Sequence, residues 1–223
     1  MNEQRLDPAL PSADHHEGGF RPMVELIEAN AAADATRRGG ELYGDFIEQV
    51  RLLMDRARMA DPGDELSQHI ITQLTKLNDE LAGAAVDEWS LPNWTRNDLP
   101  SRGNLTLPPY QIDAADATGV HGRIVFRAFH LGGNAAAHGG HIALGFDDLL
   151  GMAAALTSGA ITRTASLTVD YRAITPLDRE LKLHAWTERQ EGRKVYVRAT
   201  LHDGERLCAE ANGLFIVLKP GQQ

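Results

Sequence analysis

The chain holds a single cysteine, Cys208, which excludes an intramolecular disulfide and any zinc site built from several thiolates. Aromatic residues make up only 6% of it. No stretch approaches the roughly 18 uninterrupted apolar residues of a membrane-spanning helix. The opening MNEQRLDPALPSADHHEGGF lacks the apolar centre of a secretory signal and reads as a loosely held leader over residues 1–20. No GxGxxG follows a strand pattern, and neither a Walker phosphate loop nor a GxSxG nucleophile elbow occurs. These gaps count against nucleotide-dependent chemistry and a serine hydrolase of the α/β type. Cys208 sits in the strand-like run LCAEANGLFIVL, where a buried, inert thiol is expected. A reducing, cytoplasmic setting fits both.

What is present suffices for a sizeable core: 43% of the 223 residues are hydrophobic and 24% are charged. The formal net charge of −9 is uneven. Residues 1–115 carry 20 acidic and 10 basic side chains, whereas residues 116–223 carry 11 and 12. So acidic a protein is a poor match for duplex nucleic acid, but the balanced C-terminal half leaves room for a local basic cluster on a phosphorylated ligand.

Residues 21–100 read as a helical extension and linker. MVELIEANAAADATRRGG is alanine-rich and ends on arginines and glycines. A second helix places Leu42, Phe46, Val50, Leu53 and Met54 at helical spacing, and a third does so with Leu66, Ile70, Leu74, Leu77 and Leu81. Both stripes need something to dock on. From Trp89 to Tyr110, four prolines mark an extended connection. The pattern then changes. GRIVFRAFH (122–130) is strand-like, and a loop leads to the apolar helix HGGHIALGFDDLLGMAAAL. Four strand-like runs follow: RTASLTVDYR, RELKLHAWTE, RKVYVRATLH and LCAEANGLFIVLK. Short separators at 191–192 and 203–205 predict consecutive antiparallel hairpins.

Two adjacent carboxylates, Asp147 and Asp148, interrupt the apolar helix. Burying an ionised carboxylate without partners is costly. Either the pair lies at an exposed edge, or one of them has a chemical role. His138-Gly139-Gly140 opens the helix, where unpaired N–H groups and the helix dipole favour a developing negative charge. Asp147 follows His138 by nine residues. A carboxylate there suits activating water or attacking a carbonyl carbon, which points to acyl transfer or hydrolysis. Asp148 points about 100° further round and reads as exposed or structural. His130 and His141 lack a ligand pattern such as HExxH, so no metal is expected.

HGGHIALGFDDLLGM, with TASLTVDYRAITPL, EGRKVYV and AEANGLFIVL after it, resembles the hotdog-fold acyl-CoA thioesterases of the PaaI-like group. Within that group it is most similar to thioesterase-superfamily members related to the carboxyl-terminal modulator protein. The resemblance covers about residues 105–219 and implies an α+β hotdog domain, a long helix wrapped by a curved antiparallel sheet. It implies Asp147 as nucleophile or general base, the Gly139 and Gly140 amides as oxyanion donors, and His138 as a loop-shaping residue that contacts the thioester. Thr164 is implied to help place water, reaching the carboxylate from a partner subunit. Arg172, Arg193 and Lys194 match basic positions near the CoA phosphates. Two departures stand out. Where many relatives have an Asn six residues before the histidine, this chain has Gly132, with Asn134 the nearest amide. Simple alternation also puts Thr164 on the face opposite Leu167, Val169 and Tyr171, unless a bulge near Ala165 intervenes. The expectation is thioester hydrolysis without a cofactor, CoA being part of the substrate, in a dimer or tetramer formed through the sheet. The alternative is a non-catalytic acyl-CoA-binding module in a lipid or polyketide assembly.

Overall fold

The computed structural model describes residues 38–116 and 118–219. The leader and the first predicted helix lie outside the described residues, save the exit of that helix.

The centre is a 20-residue helix, α3 (Gly139–Ser158), preceded by α1 (Tyr43–Met59) and α2 (Asp64–Ala82). Alanine and leucine dominate the second half of α3, and Ile142, Phe146, Leu149, Leu150 and the run Met152–Ala155 are all buried. Gly159, at φ +60°, turns the chain out of the helix through the left-handed region open to glycine.

Six antiparallel strands wrap that helix: β1 (Tyr110–Asp116), β2 (Gly119–Val125), β5 (Thr162–Tyr171), β6 (Glu180–Glu191), β7 (Lys194–Asp203) and β8 (Arg206–Val217). They lie side by side in the order β1-β2-β6-β7-β8-β5. Two tiny strands, β3 (Leu131–Gly133) and β4 (Ala136–Ala137), form a separate hairpin just before α3. Inward residues alternate as predicted: Leu181, Leu183 and Ala185 from β6 and Val195, Val197, Ala199 and Leu201 from β7 meet the helix. The hairpins expected at 191–192 and 203–205 join β6 to β7 and β7 to β8. This is the α+β hotdog fold, with helices before it. The first strand, β1, has no clear sequence signature, because Asp113 and Asp116 break its apolar pattern. Pairing with β2 supplies what its own composition does not.

Both N-terminal helices depart from the expected docking. On α1 the buried residues are Ile47 and Arg51, while Leu42, Phe46 and Leu53 are exposed. The docked face is therefore turned from the apolar stripe, because polar anchors set it. Arg51 donates to the carbonyls of Pro100 (3.1 Å) and Asn104 (3.5 Å). Arg127 pairs with Glu48 and Asp55. On α2 no residue is buried among the described residues, and Leu66, Ile70, Leu77 and Leu81 stay exposed.

Candidate active site

His138 is the N-cap of α3, and its Nδ1 accepts the Gly140 N–H at 3.0 Å. The histidine thus satisfies one of the orphan amides at the helix start. It also occupies one of the two amides expected to hold an oxyanion. Gly139 N–H makes no hydrogen bond among the described residues.

Asp147 lies half-buried seven residues beyond Gly140. Seven residues turn a helix through about 700°, so the two share a face about 10 Å apart along the axis. Thr164 Oγ1 donates to Asp147 Oδ1 at 2.9 Å. This contact forms within one chain, where the resemblance had implied a partner's strand. It depends on a bulge. On β5, Thr164 pairs with Phe215 and Ser166 with Leu214, leaving Ala165 as the extra residue. The bulge brings Thr164 onto the same face as Leu167, Val169 and Tyr171.

Of the two roles the sequence left to Asp148, exposed or structural, the structure gives it the second. Arg102 Nη2 donates to both its oxygens, at 3.0 and 3.1 Å, and the Tyr110 hydroxyl donates to Oδ2. Burial, then the neighbouring Asp148 carboxylate, raise the Tyr110 phenol well above its usual pKa. Burial opposes the charge of Arg102, but Asp148 and Tyr110 outweigh it and hold the guanidinium above its ordinary value. Asp148 therefore ties α3 to β1 and the turn Pro100–Gly103.

The glycine at 132 has a steric reason. A Cβ there would sit 2.7 Å from the Cα of His138, so an asparagine cannot occupy this position unless the loop moves. Asn134 instead takes φ +49° at the exposed tip of the β3–β4 hairpin. His130, not singled out for chemistry in the sequence, lies behind this loop and is 1% exposed. Its Nδ1 accepts Arg127 N–H at 2.8 Å, and its carbonyl accepts His138 N–H at 2.8 Å. Burial, then the neighbouring His141, lower its pKa to about 4. The ring is therefore neutral, with its proton on Nε2. Burial, then His138, also lower His141. Among the described residues no group of three or more side chains could hold a metal.

Of the three cations implied for the CoA phosphates, Arg172 lies apart from Arg193 and Lys194. Arg172 follows β5, its amide bonded to Cys208 O, and its side chain pairs with Glu210 (2.8 Å) and Asp170 (3.3 Å). Arg193 lies at the β6–β7 turn against Val217, nine residues along β8 and roughly 30 Å away. Lys194 is exposed beside it. Tyr171 was missed as a site residue. Its hydroxyl donates to Gly139 O at 2.8 Å, a contact only the wrapping of β5 over α3 creates.

Residues 134–210 match the family profile described as the Thioesterase superfamily. That match lies within the hotdog domain described above, whose sheet also takes in β1 and β2, and marks it as a thioesterase-superfamily domain. The chain is similar to Acyl-coenzyme A thioesterase THEM4 of Xenopus laevis, 40% identical over 85 residues. That match takes in 37% of this chain and 38% of the relative. THEM4 of Rattus norvegicus is 38% identical over 85 residues, 37% of this chain and 36% of that one. The chain thus spans well under half the length of these curated relatives. A crystallised thioesterase superfamily protein superposes with a TM-score of 0.69 at 25% identity, over 81% of this chain and 97% of its own. That superposition extends well beyond the residues of the family profile.

Proposed function

We propose that the thioesterase-superfamily domain hydrolyses an acyl-CoA thioester to a free acid and CoA. The observation that carries this reading is the Thr164–Asp147 hydrogen bond, which holds a half-buried carboxylate in one orientation where β5 meets α3. Asp147 takes a proton from water, whose oxygen attacks the thioester carbon. Charge develops on the carbonyl oxygen and is held by the start of α3. The C–S bond then breaks, and the CoA thiolate leaves with the proton that Asp147 returns. Direct attack by Asp147 on the carbon gives the same products through an anhydride that water opens. The names of the two THEM4 relatives support CoA as the carrier.

About 10 Å along one helix is more than a single carbonyl spans between a carboxylate and an amide. We therefore place each thioester between Asp147 of one chain and the α3 start of a second copy, paired through the sheet. A cytoplasmic location is part of the proposal, supported by the single, buried Cys208 thiol.

One observation favours a second reading, an acyl-CoA-binding module without turnover: Gly132 has no room for the side-chain amide that many relatives carry. Free-thiol release from short- to long-chain acyl-CoAs, with native protein and Asp147→Asn, decides between them. Hydrolysis that falls by about two decades or more in the variant supports the enzyme. Saturable binding with no thiol released at any chain length replaces it with the binding module.

A further inference from the structure

Tyr171 ends β5 directly over the first residue of α3, and its side chain remains 53% exposed. A phenol this accessible to water has no need of a protein acceptor, yet its hydroxyl donates to the Gly139 carbonyl at 2.8 Å. The ring lies equally close. A Cβ built on Gly139 would meet Tyr171 ring atoms and the hydroxyl at 2.9 to 3.1 Å. The glycine at 139 is therefore required by Tyr171 as much as by any ligand. The other edge of the same peptide is also held, because Gly140 N–H donates to His138 Nδ1 at 3.0 Å. Tyr171, the Gly139–Gly140 peptide and His138 form one hydrogen-bonded line across the start of the helix.

From this line we infer that Tyr171 is a positioning residue for the oxyanion site: together with His138 it fixes the Gly139–Gly140 peptide plane, and so the direction of the unoccupied Gly139 N–H. The inference rests on the thioesterase reading for its catalytic consequence. A hydrogen bond at a peptide oxygen draws electron density from the nitrogen, so the Gly140 N–H of the same unit holds His138 Nδ1 more tightly and the helix start keeps one shape. Clamping both edges also keeps the peptide from rotating as charge appears on the substrate oxygen, the preorganisation that oxyanion sites depend on. The bulge at Ala165 contributes here too. It puts Thr164 and Tyr171 on one face of β5, so a single strand aligns the carboxylate with one side chain and the amides with the other.

The test uses the full chain and Tyr171→Phe, which keeps the ring and removes the hydroxyl. Two quantities are read: kcat and KM on whichever acyl-CoA the native protein turns over fastest, and the Gly140 amide resonance in 15N–1H spectra. The expected result is a kcat lowered roughly 5- to 20-fold with KM within about twofold, together with an upfield shift of the Gly140 proton. Ring loss alone would instead raise KM, so Tyr171→Leu is expected to change both constants. A Tyr171→Phe protein with native kcat overturns the positioning role. An unmoved Gly140 resonance overturns the contact itself. Native protein that releases no thiol from any acyl-CoA defeats the thioesterase reading separately, and the Gly140 shift still decides whether Tyr171 holds the peptide.

Discussion

Thr164 and Asp147 meet at 2.9 Å inside a single chain, hydroxyl to carboxylate, and join β5 to α3. Residues that act as a unit lose activity together rather than additively. Thr164→Val is expected to lower kcat about 10-fold and Thr164→Ser to restore most of it. Thr164→Val added to Asp147→Asn is expected to cost nothing further. Thiol-release kinetics on the native protein, Thr164→Val, Asp147→Asn and the double variant measure the coupling. Additive losses show that the two side chains work independently.

How far the sequence carried depended on the range of the interactions. The inward alternation of β6 and β7 and the two hairpins were legible because each arises from neighbours in the chain. Thr164 shows the next level, since pattern alone put it on the wrong face and named the bulge that would correct it, while only the β8 pairing supplies that bulge. Asp148 shows where pattern stops. Its position on the helix was clear, but Arg102 and Tyr110 come from 46 and 38 residues away. The α1 stripe failed for a related reason. Periodicity weighs apolar residues, whereas the face that docks is chosen by Arg51, Glu48 and Asp55.

Asp147 and Asp148 are expected to separate by measurement, the first by kinetics and the second by stability. Asp148→Asn leaves Arg102 and the buried Tyr110 hydroxyl with a weaker acceptor. Removing one partner of a largely buried, charged network costs about 1–3 kcal/mol. Urea unfolding of Asp148→Asn is expected to show a lower midpoint with an unchanged slope, and Asp147→Asn a midpoint near that of the native protein. The same drop in both variants contradicts the division.

Arg127 connects α1 to the loop that feeds the α3 N-terminus, through Glu48 at 2.7 Å and Asp55 at 2.6 Å. Asp55 Oδ1 also accepts Phe129 N–H at 3.0 Å. Asp55→Ala removes both contacts at once. Amide exchange across α1 and residues 127–131 is expected to accelerate at least 10-fold, with the β6–β8 amides unaffected. Uniform acceleration across the sheet makes α1 part of the global unfolding unit instead of a docked strut.

His130 gives the fold a sensitivity to acid whose sign follows from its depressed pKa. In the unfolded chain the imidazole titrates near 6.5, and in the folded protein near 4. Below pH 6.5 the unfolded state therefore binds more protons, and stability falls as the pH drops toward 4. A depression of this size is worth at most about 3 kcal/mol, present in full above pH 6.5 and lost progressively through the folded pKa. His130→Gln keeps a side-chain acceptor for the Arg127 amide but has no proton to gain. Its unfolding free energy at pH 7 is expected to be lower than native, because a buried packing site changes shape. Its decline between pH 6.5 and 4.5 is expected to be shallower by about one proton's slope. Urea midpoints at half-unit pH steps on both proteins measure this, and parallel curves would mean that His130 is accessible to protons in the folded state.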